Sequence, residues 1–113
     1  MQSKLVPLRI PPGWMVNFNQ FTEANPDAFK NDDYEYKWEF NEDILQFDHI
    51  KNNRTVDLGW YPEFNPKGKY KIVLINSSDP DWQNPIYKFL SRDINEIIEK
   101  IEYVLEEVSN GRI

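Results

Sequence analysis

The sequence predicts an α+β domain, a four- to five-stranded antiparallel meander sheet with one C-terminal helix packed across a face. Three observations predict it. Segments 34–40 and 55–61 alternate apolar and polar residues with period two, the spacing that puts one set of side chains on each face of a strand. Ile94, Ile97, Ile98, Ile101, Val104, Leu105 and Val108 recur at three- and four-residue intervals, the spacing of one helical stripe. Short, turn-rich connections between the strand segments favour antiparallel neighbours over crossovers. With 113 residues the chain suits one domain, 1–113, and no repeat or Pro/Gly/Ser-rich linker divides it.

The first strand is expected over 14–22, after the Pro11-Pro12-Gly13 turn, with Trp14, Val16, Phe18 and Gln20 on one face. The polar stretch 23–33 reads as a loop with room for one helical turn around Ala28-Phe29. A second strand is expected over 34–40, where Tyr34, Tyr36, Trp38 and Phe40 alternate with Glu35, Lys37 and Glu39. A third runs over 44–50. Lys51-Asn52-Asn53-Arg54 then reads as a tight turn, because Asn tolerates positive φ. The fourth strand, 55–61, sets Val56, Leu58 and Trp60 against Asp57, Gly59 and Tyr61. After a loop at 62–68 the fifth strand covers 69–75, apolar on both sides and so partly buried on both. Residues 76–91, punctuated by Pro80 and Pro85, read as irregular. The helix is placed over 92–109, with Asp93 and Glu96 as a capping box, Ser91 competing as N-cap, and Gly111 as the stop.

The 17 aromatic residues allow a real core without disulfides, and no cysteine is present to form one or to serve as nucleophile or thiolate ligand. An apolar signal core is missing from the N-terminal residues, and no window approaches the roughly 20 apolar residues of a membrane span. A cytoplasmic location without membrane contact is therefore expected. The net charge of −6 is uneven: residues 23–48 hold nine acids against Lys30 and Lys37, a local −7. Such a field repels nucleic-acid phosphate and attracts basic partners. The plainer alternative is that these acids only solvate one side of the domain.

Catalytic motifs are absent. The single histidine, His49, sits at a strand end beside a turn and is expected to be structural or solvated. Without cysteine or a second histidine a zinc site would need three carboxylates, a set that Zn²⁺ seldom accepts. Asp57 with Glu63, and Asp79 with Asp81, are close acid pairs in sequence, but acid–base chemistry needs a fixed separation and a raised pKa in one member. The 79–81 loop lacks the spacing of an EF-hand, and the four glycines are isolated rather than gathered into a phosphate-cradling loop. The expectation is a non-enzyme with no metal and no cofactor.

The aromatic content points to binding instead. Trp60 and Tyr61 are adjacent on a strand, so their rings face opposite sides, and a one-helix fold leaves a sheet face open. Exposed Trp and Tyr are the residues most enriched at binding hot spots. Tyr34, Tyr36, Trp38, Trp60, Tyr61 and Trp82, with the acids Asp32 and Asp33, are the candidate partner-binding residues. Alternatively the N-terminal and 76–91 segments cover the second face.

Leu8-Arg9-Ile10-Pro11-Pro12-Gly13-Trp14, Asp57-Leu58-Gly59-Trp60-Tyr61-Pro62-Glu63, Asn65-Pro66-Lys67-Gly68 and Asp81-Trp82-Gln83-Asn84-Pro85 together resemble short proteins of Bacillus-type Firmicutes. Those carry an IPxGW start, a DLGWYPE centre and a DWxxP segment before a terminal helix, and Phe64 stands where the resemblance leads one to expect glycine. They are similar in turn to immunity proteins of polymorphic-toxin and contact-inhibition systems. What the resemblance implies is a protein partner, a basic toxin domain blocked by stoichiometric binding. The alternative is a small-ligand or carbohydrate-binding module that stacks its ligand on Trp60, Tyr61 and Trp82.

Overall fold

The computed structural model, which describes residues 3–113, is a five-stranded antiparallel sheet in chain order with one long helix on one face. The strands are β1 (Trp14–Asn19), β2 (Leu45–His49), β3 (Arg54–Tyr61), β4 (Lys69–Asn76) and β5 (Tyr87–Ser91), and the helix is α1 (Ile94–Ser109). The α+β meander is thus the architecture, although one of its strands is not where the alternation placed it.

That strand is 34–40. The bonds its N–H groups donate are local, Lys37 N–H to the Tyr34 carbonyl and Phe40 N–H to the Lys37 carbonyl, and Lys37–Glu39 is a turn of 3-10 helix. The reason lies in the sheet itself: β2 is already paired on both sides, with β1 in register Val16↔Phe47 and with β3 in register Phe47↔Val56. Nothing remains beside β2 for a further hairpin strand. The fifth place is filled by β5, inside the stretch read as irregular, paired to β4 with Ile72 opposite Phe89. Pro85 lies just before β5, where its missing N–H costs no ladder bond.

On the helix-facing side, Leu45, Phe47, Val56, Leu58, Trp60, Tyr70, Ile72 and Leu74 are buried. Five residues of the α1 stripe, Ile97, Ile101, Val104, Leu105 and Val108, are fully buried against them, each worth about 1.5–3 kcal/mol. Ile94 and Ile98 flank the stripe and are only half-buried. Asp93 is the N-cap, its carboxylate accepting from the N–H groups of Asn95 and Glu96. Ser91 does not displace it but accepts the Asp93 N–H at 2.9 Å, the bond that Glu96 would make in a capping box. At the other end Gly111 (φ +70°) lets Arg112 N–H reach the Glu107 carbonyl and Gly111 N–H the Val108 carbonyl, a Schellman stop.

The helix reaches only part of that face. The rest is filled by the long β1–β2 connection, whose Phe21, Ala24, Phe29, Phe40 and Ile44 enter the core. Phe40 meets Trp60 edge-on at 4.7 Å and stacks on Phe29 at 4.9 Å, and Tyr70 closes on Trp60 at 5.0 Å. Arg92 pins this aromatic end, its guanidinium donating to the carbonyls of Pro66, Gly68 and Pro26 while lying 5.2 Å from the Trp60 ring. Gly59 is fixed by close approach: a Cβ there would stand 2.4 Å from the Glu42 carbonyl oxygen.

β1 ends at Asn19, three residues short of the expected boundary. A bulge between Val16 and Phe18 breaks its parity, and the Asn19 side chain accepts the Phe21 N–H to turn the chain. Thr22 instead pairs with Leu5 in an isolated bridge, which straps the N-terminal segment to the start of the long connection. Among the described residues no helix is long and apolar enough to cross a membrane.

Candidate functional site

The eight candidate binding residues divide into three groups. Trp60 leaves the set: it is fully buried, its indole N–H donates to the Asn65 carbonyl at 2.8 Å, and a partner cannot reach it. Strand parity gives the reason, since Trp60 falls on the helix side with Val56 and Leu58. By the same parity Tyr61 falls on the other face and is 37% exposed.

Tyr61 and Trp82 line one cleft on that open face. The 76–86 loop folds back over the sheet, and the two rings line a small cleft of about 200 Å³ with Asp57, Lys71 and Val73. Lys71 Nζ lies 5.2 Å from the Tyr61 ring centre. Burial pushes the Asp57 carboxyl above its ordinary range and Asp43 adds to this, while the hydrogen bond from Gln46 and the charge of Lys71 pull the other way. In the acid pairs, Glu63 accepts the Glu42 N–H, and Asp81 accepts the N–H groups of Gln83 and Asn84. His49 is buried, edge-on to Trp14 at 5.0 Å, with its Nδ1 accepting the Asn52 N–H. No group of three His, Cys, Asp or Glu residues among the described residues could hold a metal ion.

The remaining candidates gather at the tip of the long connection. Asp32 and Asp33 are exposed in its turn, and Tyr34 is half-buried, stacked on Phe29 at 5.5 Å. Burial raises the Tyr34 pKa, and the charges of Glu39 and Glu35 add to that. Trp38 is 66% exposed, the most exposed aromatic of this cluster, although two residues on Phe40 is 1% exposed. Its ring is braced by Phe64 at 4.9 Å, edge-on. Phe64 has φ +58°, the left-handed region that favours glycine, and its N–H donates to the Phe40 carbonyl. The residue standing in place of the expected glycine thus supplies a side chain that supports Trp38.

Beside Trp38 opens a groove of about 580 Å³. One wall is Glu35, Tyr36, Trp38 and Glu39 from the connection. The other is Asn19, Gln20 and Thr22 after β1, together with Ser3 and Leu5 of the strap. The second wall is not legible in the sequence, because a bridge between Leu5 and Thr22 carries no local signal. The groove is amphipathic: two aromatic rings and an exposed leucine among carboxylates, amides and hydroxyls. Comparison with known proteins adds no relative, since no family model, curated protein or solved structure matches this chain.

Proposed function

We propose that this chain is a non-catalytic binding domain that engages another protein stoichiometrically, as an immunity or inhibitor protein neutralising a basic toxin. The observation that carries this reading is Trp38. A braced indole, largely exposed, sits at the lip of an open groove inside the segment that holds a local charge of −7. An aromatic anchor beside a charged rim is the arrangement of an interface hot spot, with the charge steering a cationic partner toward it. Neutralisation of a toxin is the part of the proposal that rests on the sequence resemblance.

The test separates steering from stability. Asp27, Asp32 and Asp33 are exposed, and reversing all three to Lys should change stability by less than about 0.5 kcal/mol per site. The reversal should slow association with a toxin encoded beside the gene and flatten its salt dependence. Unchanged association would remove the acidic edge from the interface, and failure to protect cells from that toxin would end the immunity reading. Small-ligand or carbohydrate binding is the second reading, supported by the cleft of Tyr61, Trp82, Asp57 and Lys71, although Trp60 contributes no platform to it. Saturable binding of a glycan, lost in Trp82→Ala, would favour it.

A further inference from the structure

The groove beside Trp38 contains a carboxylate whose hydrogen bonding is incomplete. Glu39 Oε2 accepts from Ser3 Oγ at 3.3 Å, while Glu39 Oε1 is buried and has no partner among the described residues. A carboxylate oxygen closed off from water and left without a donor is unfavourable, so turning the Glu39 carboxyl outward onto a donor held in the groove would recover that loss. Glu35 adds a second carboxylate to the same lining, and Tyr36 and Trp38 add apolar surface beside the two acids. A long side chain with an apolar stem and a cationic head fits this mix of surfaces. The chain holds one example itself: Lys37 Nζ lies 4.9 Å from the Trp38 ring centre and 3.7 Å from Asp32. The surface around this indole therefore already seats a cation between a ring and a carboxylate.

We propose that the groove takes one arginine side chain of a protein partner, its stem along Tyr36 and Trp38 and its guanidinium on Glu39 and Glu35. Arginine is favoured over lysine because its planar fork can donate to the Glu39 and Glu35 carboxylates together. The proposal rests on the reading of this groove as a partner surface and names what that surface recognises.

The experiment is a titration of the full-length, isotope-labelled chain with blocked Gly-Arg-Gly, Gly-Lys-Gly and Gly-citrulline-Gly peptides, followed by NMR. Citrulline keeps the shape of arginine without the charge. The arginine peptide should move the Trp38 indole N–H and the amides of residues 19–22 and 35–39, saturating in the millimolar range. The citrulline peptide should bind at least about tenfold more weakly, a difference of about 1.4 kcal/mol. Glu39→Gln should lose the arginine response with a melting temperature no lower than wild type, and Glu35→Gln, at an exposed position, should weaken it without touching the fold. Equal binding of citrulline and arginine would overturn the proposal, as would shifts centred elsewhere. Equal binding of lysine would overturn the choice of arginine. With a partner in hand the two readings separate. Loss of partner binding in Trp38→Ala but not in Glu39→Gln would keep the docking surface and remove the arginine. A partner indifferent to both variants would remove the docking surface, even if the arginine peptide binds.

Discussion

Trp38 and Phe40 would lie on the same face of a strand and would respond alike to truncation, whereas the structure separates them. Phe40 is 1% exposed, packed against Phe29, Trp60 and Tyr70, while Trp38 is 66% exposed and touches mainly Phe64 and Lys37. Phe40→Ala removes a ring from a closed aromatic cluster and leaves a cavity, so it should cost about 3–5 kcal/mol. Against a domain stability of about 5–15 kcal/mol this is a large fraction, and the variant should unfold at a clearly lower urea concentration. Trp38→Ala gives up one edge-on aromatic contact and a cation–π contact at the surface, about 1 kcal/mol together. The assay is urea unfolding of both variants followed by far-ultraviolet circular dichroism, which does not depend on the deleted indole. Similar losses for the two, or a larger one for Trp38→Ala, would refute the account of 34–40 as a plug in the core rather than a strand.

Three further perturbations test other parts of the structure. Arg92→Lys keeps the charge but cannot reach three carbonyls from one planar group, and should cost about 2 kcal/mol in thermal or chemical unfolding; no loss would mean that the Pro26–Pro66–Gly68 clamp is not held by Arg92. Gly59→Ala drives a methyl into the Glu42 carbonyl and the Tyr61 ring, and should cost about 1–3 kcal/mol by the same measurements. Asp57→Asn tests the raised carboxyl: burial disfavours the folded ionised form, so wild type gives up stability as pH rises from the ordinary Asp range through the raised folded pKa. The Asn variant should gain on wild type between acid and neutral pH in paired urea titrations, and a difference that is constant with pH would refute it.

The fold class was legible because its two strongest signals are local. The α1 stripe needs only the 3.6-residue period, and Asp93, Asn110 and Gly111 mark its ends in the chain itself. The hairpin at 50–53 was legible for the same reason, as Asn53 does take a left-handed φ of 58°. The failure at 34–40 has a different origin. Period-two alternation reports that every second residue meets apolar surroundings, but it does not report a free strand edge to pair with. With β2 enclosed by β1 and β3, Phe40 buries its ring in the gap beyond α1, and the N–H groups of Lys37, Glu39 and Phe40 bond within local turns. The segment Tyr87–Ser91 carries a weaker alternation, with Tyr87 and Phe89 inward and Lys88 and Leu90 outward, yet β4 offers it an edge. Edge availability decided which of the two became a strand.

The same distinction governs how much of the candidate site could be read. Adjacent strand residues must face opposite sides, so the sequence separates Trp60 from Tyr61, but it cannot say which side the helix takes. In the 34–40 segment the loss of strand geometry is what frees Trp38: a strand would have put it beside Phe40, whereas the 3-10 turn at Lys37–Glu39 rotates it outward and leaves Glu39 facing the strap. The groove exists because Leu5 bridges to Thr22 across the start of the long connection, a contact between residues whose spacing has no period. Phe64 belongs to the same lip. A glycine at that position would adopt its left-handed φ without cost but would leave the Trp38 ring unsupported on one side. With its left-handed backbone Phe64 does two things at once: its N–H ties the 62–68 loop to the carbonyl of the core residue Phe40, and its ring braces the exposed indole at the lip of the groove.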